Sequence, residues 1–108
     1  MTAATARKTA PLFAALGDPV RLGIVLKLGQ GGPLPTSTLQ QGAGVTRQGV
    51  TKHLRLLEDA GLVTSERAGR DRLWRIEAQR MAEMSRMLTR VSAQWDARIE
   101  RLRTFVEN

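Results

Sequence analysis

The stretch Gly44–Ile76, GVTRQGVTKHLRLLEDAGLVTSERAGRDRLWRI, decides the fold predicted for this chain. Three apolar residues recur there at helical spacing and form one stripe: Val50, Leu54 and Leu57. Thr46 is placed to cap the start of this helix, and Gly61 stands where a left-handed residue ends one. The opposite face carries Arg47, Gln48, Thr51, Lys52 and Arg55. Such a helix can bury one side and offer a row of donors to the major groove of DNA.

Two short strand-like runs follow the helix and are joined around Ala68–Asp71, which predicts a basic β-hairpin. Upstream, Thr36 is placed to cap a short helix, and a turn containing Gly44 connects that helix to the next. The fold predicted is mainly α with a small β-hairpin. It is a winged helix-turn-helix, with the helix-turn-helix at about 36–61 and the wing at about 62–76. The wing arginines Arg67, Arg70 and Arg72 are expected near DNA phosphates or the minor groove.

The remaining chain divides into a tail and further helices of a single domain over residues 10–108. Residues 1–9 are small and polar, and are predicted to form a flexible tail. A short apolar face follows at Leu12, Phe13 and Leu16. Asp18-Pro19 then favours a helix start, with Asp as the cap and Pro in the first turn. That helix is expected to bury Val20, Ile24, Val25 and Leu28.

A long C-terminal helix is predicted at about 78–106, because that stretch contains neither Gly nor Pro. Apolar residues recur along it at alternating spacings of three and four, the pattern of a coiled-coil seam. Arg98 occupies one seam position and interrupts the pattern, and the neighbouring Ile99 can supply the apolar side chain there. Because such a stripe is too long for so small a body, we predict that it forms a dimer interface with a second copy, together with the face at residues 12–16. The predicted interface residues are Leu12, Phe13, Leu16, Met81, Met84, Leu88, Val91, Trp95, Leu102 and Phe105.

The amino-acid composition limits the classes of function that the chain can have. The 108 residues carry a formal net charge of +7, from 17 Lys and Arg against 10 Asp and Glu, which favours an acidic partner such as double-stranded DNA. The absence of Cys excludes disulfides and thiolate metal sites. No apolar run is long enough to span a membrane, and the first ten residues lack the apolar segment of a secretion signal. We therefore expect a cytoplasmic protein without membrane association.

Several spaced motifs resemble those of the ArsR/SmtB-type bacterial winged-helix regulators. They are Ala15-Leu16-Gly17-Asp18-Pro19 with Arg21, then His53-Leu54 with Leu57, then Ala60-Gly61-Leu62-Val63. The likeness covers about Leu12–Ile76 and implies a homodimeric regulator, usually a repressor, acting at a near-palindromic operator. Many members of that family release DNA when a metal ion or another inducer binds. This chain lacks the cysteines of the familiar metal sensors, so we expect no metal site and no cofactor.

Three features allow two interpretations. His53 is a lone histidine inside the predicted recognition helix, and we expect it to contact phosphate or to pack. Gly49 costs a helix about 1 kcal/mol against Ala, and is either needed for a close approach to DNA or simply tolerated. Met81, Met84 and Met87 with Trp95 are expected to be plain core, the alternative being a pocket for a small-molecule effector of unknown identity.

The function predicted is sequence-specific DNA binding by a homodimeric transcriptional regulator, with Thr46 and His53 added to the contact set of the helix face and the wing. Two alternatives stay open: a sequence-tolerant architectural DNA-binding protein, and a winged-helix module that binds another protein. Catalysis is not expected. The chain has no Cys nucleophile and one His, and its GQGGP run at residues 29–33 lacks the lysine and spacing of a phosphate-binding loop.

Overall fold

A computed structural model describes residues 2–107 of the chain. Met1, which belongs to the predicted tail, and Asn108, the last residue of the predicted domain, lie outside the described residues. Within 2–107 the chain forms five helices and three strands: α1 (Ala3–Ala15), α2 (Pro19–Gln30), β1 (Leu34–Pro35), α3 (Thr36–Gln40), α4 (Arg47–Asp59), β2 (Val63–Ala68), β3 (Asp71–Ile76) and α5 (Ala78–Glu107). The predicted mainly helical class with a winged helix-turn-helix is confirmed.

The helix α1 begins well before the predicted position. Residues 3–9 were expected to be a flexible tail, but the helix starts at Ala3. The Thr2 hydroxyl accepts a 3.2 Å hydrogen bond from the Thr5 amide and caps this helix. Further along, the Thr9 side chain is buried and donates to the Thr5 carbonyl at 2.8 Å. The structure therefore differs from the expected flexible tail: residues 3–8 are exposed but helical, and Thr9 is buried.

The three strands form an antiparallel sheet in the order β1-β3-β2 among the described residues. The hairpin β2–β3 is the predicted wing, and its register pairs Val63 with Ile76 and Ala68 with Asp71. Gly69 takes a φ of +63° at the first position of the two-residue turn, as a type II′ hairpin turn requires. The strand β1 was not predicted. It consists of Leu34 and Pro35, and it exists because these residues pair with Trp74 and Leu73 of β3.

The apolar core lies between α2, α3, α4 and the sheet. Its largest fully buried side chain is Trp74, which is surrounded by aliphatic residues of the helices. Ile24, Val25 and Leu28 of α2 are buried as expected, whereas Val20 is only partly buried against the core. This core holds α4 beside the wing, and the candidate site is formed by the exposed side chains of these two elements.

Candidate nucleic-acid interface

The helix α4 has one buried face and one exposed face, as the sequence predicted. Val50, Leu54 and Leu57 are fully buried, at 0% exposure. On the other side Arg47, Gln48, Lys52 and Arg55 are exposed and Thr51 is half-buried. We call these five side chains the recognition face. Its donors project from a helix of 13 residues, which is long enough to enter a major groove and short enough to be held along its whole length by the core.

The amino end of α4 is closely packed. The Thr46 hydroxyl accepts a 3.0 Å hydrogen bond from the Gly49 amide, which confirms the predicted cap. A Cβ added at Gly49 would lie 3.3 Å from both the Thr46 hydroxyl oxygen and the Val45 Cβ. A side chain at position 49 would therefore crowd the Val45 and Thr46 side chains of the capping turn. The Thr51 hydroxyl donates to the Arg47 carbonyl at 2.9 Å, so its proton is already used within the helix.

The carboxyl end of α4 is tied to the wing. Gly61 adopts a φ of +87°, and the amides of Gly61 and Leu62 donate to the carbonyls of Glu58 and Leu57 at 2.9 and 3.0 Å. This pair of bonds is a Schellman motif, which ends the helix and turns the chain directly into β2. The wing consequently leaves α4 at a fixed angle.

A polar network joins the outer side of α4 to the wing. The two oxygens of Glu58 accept hydrogen bonds from Arg55 at 3.0 Å and from the Ser65 hydroxyl at 2.8 Å, and Arg72 Nε donates to the same Ser65 oxygen at 3.2 Å. Desolvation opposes ionisation of Glu58, but the hydrogen bonds from Ser65 and Arg55 outweigh it and lower its pKa. The Arg55 guanidinium also lies 5.6 Å from the Trp74 ring centroid. Arg55 and Arg72 are thus oriented by the protein.

The arginines at the wing tip are more freely exposed. Arg67 and Arg70 are both exposed, and Arg67 Nε donates to the Gly69 carbonyl at 3.3 Å. Arg67 pairs in register with Arg72, which places both on the same side of the hairpin as Trp74. Arg75 lies on the other side of the hairpin, where its Nε donates to Thr64 at 3.2 Å.

Arg47, the first residue of α4, faces a carboxylate that the sequence reasoning missed. Arg47 Nη2 lies 3.0 Å from Asp71 Oδ1, at the start of β3. The same carboxylate accepts hydrogen bonds from the amides of Thr36 and Ser37 at 3.2 and 3.4 Å. Asp71 therefore caps α3 from a distant part of the chain, and Thr36 is the first helical residue and not the cap. No local sequence signal links an Asp in a hairpin turn to a helix start 35 residues earlier.

Of the two roles expected for His53, contact with phosphate or packing, the structure shows packing within the protomer. Its side chain points from α4 to the amino end of α2, where Arg21 Nη1 donates to His53 Nδ1 at 3.2 Å and Asp18 Oδ2 lies 3.7 Å from the same nitrogen. Arg21 Nε also donates to the Ala15 carbonyl at 2.6 Å, which closes the end of α1. Hydrogen bonds from the Arg21 amide lower the pKa of Asp18, with a smaller opposing effect of desolvation. His53 therefore lies at the α2–α4 interface, beside Asp18 and Arg21.

The predicted dimer residues fall into three groups by their burial in the single chain. Leu12 and Met84 are buried in the protomer, at 4% exposure each, so their assignment to a dimer surface was wrong. They belong to the apolar core, at the place where α1 packs against the first half of α5. Phe13, Leu16 and Met81 are half-buried and line an open apolar groove between α1 and α5 with Leu88. The others are exposed along α5: Leu88, Val91, Trp95, Leu102 and Phe105.

The exposed apolar residues of distal α5 continue beyond the predicted set. Ile99, 53% exposed, occupies the break in the seam at Arg98, and Val106 is exposed beside Phe105. We call the exposed apolar residues from Leu88 to Val106 the α5 seam. In α5, which has 30 residues, every side chain from 88 to 107 is exposed in the single chain. These apolar side chains become buried only if another protein surface packs against them.

Two negative observations apply to the described part of the chain. Residues 2–107 contain no group of three or more His, Cys, Asp or Glu side chains arranged to hold a metal ion. Over the same residues no single helix has the length and apolar character needed to cross a membrane. The helices α1 and α2 would pass that test only as a pair, and they meet at a 94° bend.

Known proteins resemble this chain in sequence and in fold. Residues 16–66 match a family profile described as a helix-turn-helix domain. Over 79 residues the chain is 34% identical to the HTH-type transcriptional regulator NmtR of Mycobacterium tuberculosis, covering 73% of this chain and 65% of that protein. The chain thus spans slightly less than two thirds of the length of this curated relative.

Solved structures extend the likeness to most of the chain. An ArsR-like transcriptional regulator from Rhodococcus sp. RHA1 has a TM-score of 0.71 and 33% identity, covering 94% of this chain and 95% of that one. A homodimeric winged helix-turn-helix DNA-binding domain from Mycobacterium bovis, described as a possible ArsR-family regulator, has a TM-score of 0.66 and 25% identity. That match covers 85% of this chain and 84% of the other.

Proposed function

This chain belongs to the ArsR/SmtB-type family of winged helix-turn-helix transcriptional regulators, and from that premise we propose that it is a homodimeric repressor that binds one near-palindromic operator. The observation that carries the proposal is the exposed polar face of α4 beside an arginine-rich wing, both held by one core. A bacterial operator lies in the cytoplasm, so the protein acts there.

In the proposed complex, α4 enters the major groove and the recognition face contacts base edges and phosphates. Gln48 and Lys52 are exposed near the amino end of α4, where recognition helices contact bases. Gln can bond adenine through both its amide atoms, and Lys can donate to the acceptors of guanine. Arg67 and Arg70 at the wing tip neutralise phosphates of the flanking backbone, which adds affinity without reading sequence.

A second copy of the chain completes the proposed DNA-binding unit. The α5 seam is exposed over several turns, and the similar domain from Mycobacterium bovis is described as homodimeric. Pairing of two seams buries those side chains and presents two α4 helices, for two half-sites about one helical turn, roughly 34 Å, apart. A dimer on promoter DNA then represses by excluding RNA polymerase.

The test is fluorescence anisotropy of the wild-type protein on DNA upstream of its own gene, with a scrambled duplex of equal length, at two salt concentrations. A specific regulator should bind the native fragment at least about a hundredfold more tightly than the scrambled one, and should lose affinity for both as salt rises. If the native fragment gives no preference, selection from random duplexes identifies an operator elsewhere. Failure of selection to enrich any sequence would contradict the proposal and favour architectural binding.

Matched variants distinguish contacts to bases from contacts to phosphates. Gln48→Ala should lower the preference for the operator by about tenfold, because each mismatched or lost base contact costs about 1–3 kcal/mol. Arg70→Ala and Arg67→Ala should weaken binding to both duplexes by the same factor and reduce the salt dependence. Arg75→Ala is the control, since Arg75 belongs to the same hairpin but lies on the side away from Arg67. An equal loss for Gln48→Ala and Arg70→Ala on both duplexes would contradict this division of roles.

A further inference from the structure

Asp71 lies where three elements of the proposed DNA-binding surface meet. Its Oδ1 accepts from the Thr36 amide at 3.2 Å and from its neighbour Arg72's amide at 2.7 Å, and lies 3.0 Å from Arg47 Nη2. Its Oδ2 accepts from the Ser37 amide at 3.4 Å. One carboxylate thus joins the amino end of α3, the turn of the wing and the first residue of α4.

The carboxylate is ionised in the folded protein. Partial desolvation works against the charged form, but hydrogen bonds from the Arg72 amide, from Thr36 and from Ser37 outweigh it and hold the pKa of Asp71 far below its usual value. A fixed negative charge beside the recognition face repels phosphate, so on charge alone Asp71 weakens binding to every DNA sequence. Any benefit of Asp71 to DNA recognition must therefore come from its contacts within the protein, since its charge lowers the affinity.

The contacts restrict Arg47. Its guanidinium is half exposed yet engaged by Asp71, so it does not have the freedom of Gln48 or Lys52 on the same face. An arginine paired with a carboxylate is less available to guanine or phosphate, because the neighbouring anion competes with those acceptors for the same cation. The pair instead links α4 to the wing across 24 positions of sequence.

We propose that Asp71 is a positioning residue for operator recognition, which holds the wing, α3 and Arg47 of α4 in one fixed arrangement. This inference rests on the proposed function of the recognition face. Arg47 then contributes to sequence preference through Asp71, by fixing how α4 and the wing approach the groove together. Direct reading of bases is left to other residues of the recognition face.

The main experiment is a double-mutant cycle on the selected operator and a scrambled duplex, with Asp71→Asn, Arg47→Ala and the double variant. Asn has almost the same shape, but its single oxygen cannot serve the contacts that both carboxylate oxygens make. Each single variant should lower the ratio of operator to scrambled affinity by about tenfold, and the double variant should fall within about threefold of either single one. Additive losses would overturn the proposal, since Arg47 would then read DNA independently of Asp71.

Glu66→Gln is the charge control. Glu66 is exposed on β2 of the same hairpin, so its replacement removes one negative charge from the wing without touching the α3 cap. It should raise affinity for both duplexes by one common factor. If Asp71→Asn behaves in the same way as Glu66→Gln, with an unchanged affinity ratio, Asp71 is a surface charge only and the proposal is wrong.

Hydrogen exchange of the DNA-free protein gives a readout that does not depend on the operator. In Asp71→Asn the amides of Thr36 and Ser37 should exchange at least about tenfold faster, while amides of the α2 interior keep their wild-type protection. Unchanged exchange at Thr36 and Ser37 overturns the positioning role even if DNA binding falls. Faster exchange together with no sequence preference in the wild-type protein would instead contradict the proposed function, so the two failures are distinguishable. Arg47→Lys, which keeps a cation beside Asp71, should restore part of the affinity ratio lost in Arg47→Ala.

Discussion

Trp74 Nε1 donates a 2.9 Å hydrogen bond to the Thr36 hydroxyl, and both residues are buried where the wing meets α3. The Trp74 ring is the largest side chain in the core, and this bond satisfies the only polar atom it has. The same Thr36 offers its amide to Asp71. Thr36 therefore joins the apolar core around Trp74 to the polar contacts of Asp71.

Thr36→Val should destabilise the protein by about 1–3 kcal/mol, because it leaves the buried Trp74 N–H unpaired. Urea unfolding followed by circular dichroism at one fixed protein concentration measures the change. Thr36→Ser keeps the hydroxyl and is the control, with a smaller loss expected. In the Trp74→Phe background the Thr36→Val change should cost clearly less, since the donor is gone. An equal cost in both backgrounds would show that the bond contributes nothing.

Gly61→Ala should destabilise the fold by about 1–2 kcal/mol, because the left-handed conformation at φ +87° is unfavourable for a residue with a Cβ. The added Cβ would meet Arg80 Nε at 3.4 Å, an ordinary contact, so the cost arises from the backbone. Gly23→Ala inside α2 is the matched comparison. A Cβ there meets nothing within 4 Å, and the change should stabilise by about 0.5–1 kcal/mol. Thermal unfolding of both variants tests the pair, and a shift of the same sign in both would contradict it.

Trp95→Arg should convert the dimer to a monomer at micromolar concentration, because it places a charge in the centre of the α5 seam, where Trp95 is 57% exposed in the single chain. Light scattering after gel filtration gives the mass. The control is Ala93→Arg, which lies about 200° around the helix from Trp95 and should leave the dimer intact. A dimer that survives Trp95→Arg would place the interface elsewhere.

Leu12→Ala tests the corrected assignment of that residue. Leu12 is buried in the protomer, so the truncation should cost about 2–5 kcal/mol of folding free energy, as for other buried leucines. At a low temperature, where Leu12→Ala stays folded, light scattering should give this variant the same mass as the wild-type assembly. A selective loss of the dimer without a loss of thermal stability would return Leu12 to the interface.

Acid should destabilise the protein in part through Asp71 and Glu58, whose pKa values are both lowered in the fold. A lowered folded-state pKa means that the unfolded chain takes up protons first. The stabilisation is thus complete above about pH 5 and is lost as the pH falls through about 4 towards the folded-state values. Unfolding free energies measured between about pH 6 and 3 should fall less steeply in Asp71→Asn than in the wild type. An unchanged slope would exclude a contribution from Asp71.

Local sequence patterns predicted much of the candidate site. The apolar stripe of α4, its Thr46 cap, the Gly61 end and the turn at Gly69 each depend on interactions within one or two turns of chain, and the structure confirms all four. The recognition face follows directly, because burial of Val50, Leu54 and Leu57 leaves the opposite side of the helix exposed. The spaced motifs likewise pointed to the family that the comparisons support.

Periodicity could not separate the two kinds of apolar residue on α1 and α5. Leu12 and Met84 have the same spacing as their exposed neighbours, but the packing of α1 against α5 puts them inside the protomer. Similarly, the two residues of β1 become a strand only because β3 is there to pair with them. His53 shares α4 with the recognition face, and only the approach of α2 shows that it faces Asp18 and Arg21.

Short-range patterns were enough to predict a winged helix-turn-helix with a basic helix of a length that suits a major groove, since helix periods, caps and turn glycines act over a few residues. Only the tertiary structure shows which side chains of the recognition face and the wing make contacts within the protein. Asp71 meets Thr36 and Arg47 across 35 and 24 positions of sequence, and such contacts exist only after the core around Trp74 has brought α3, α4 and the wing together.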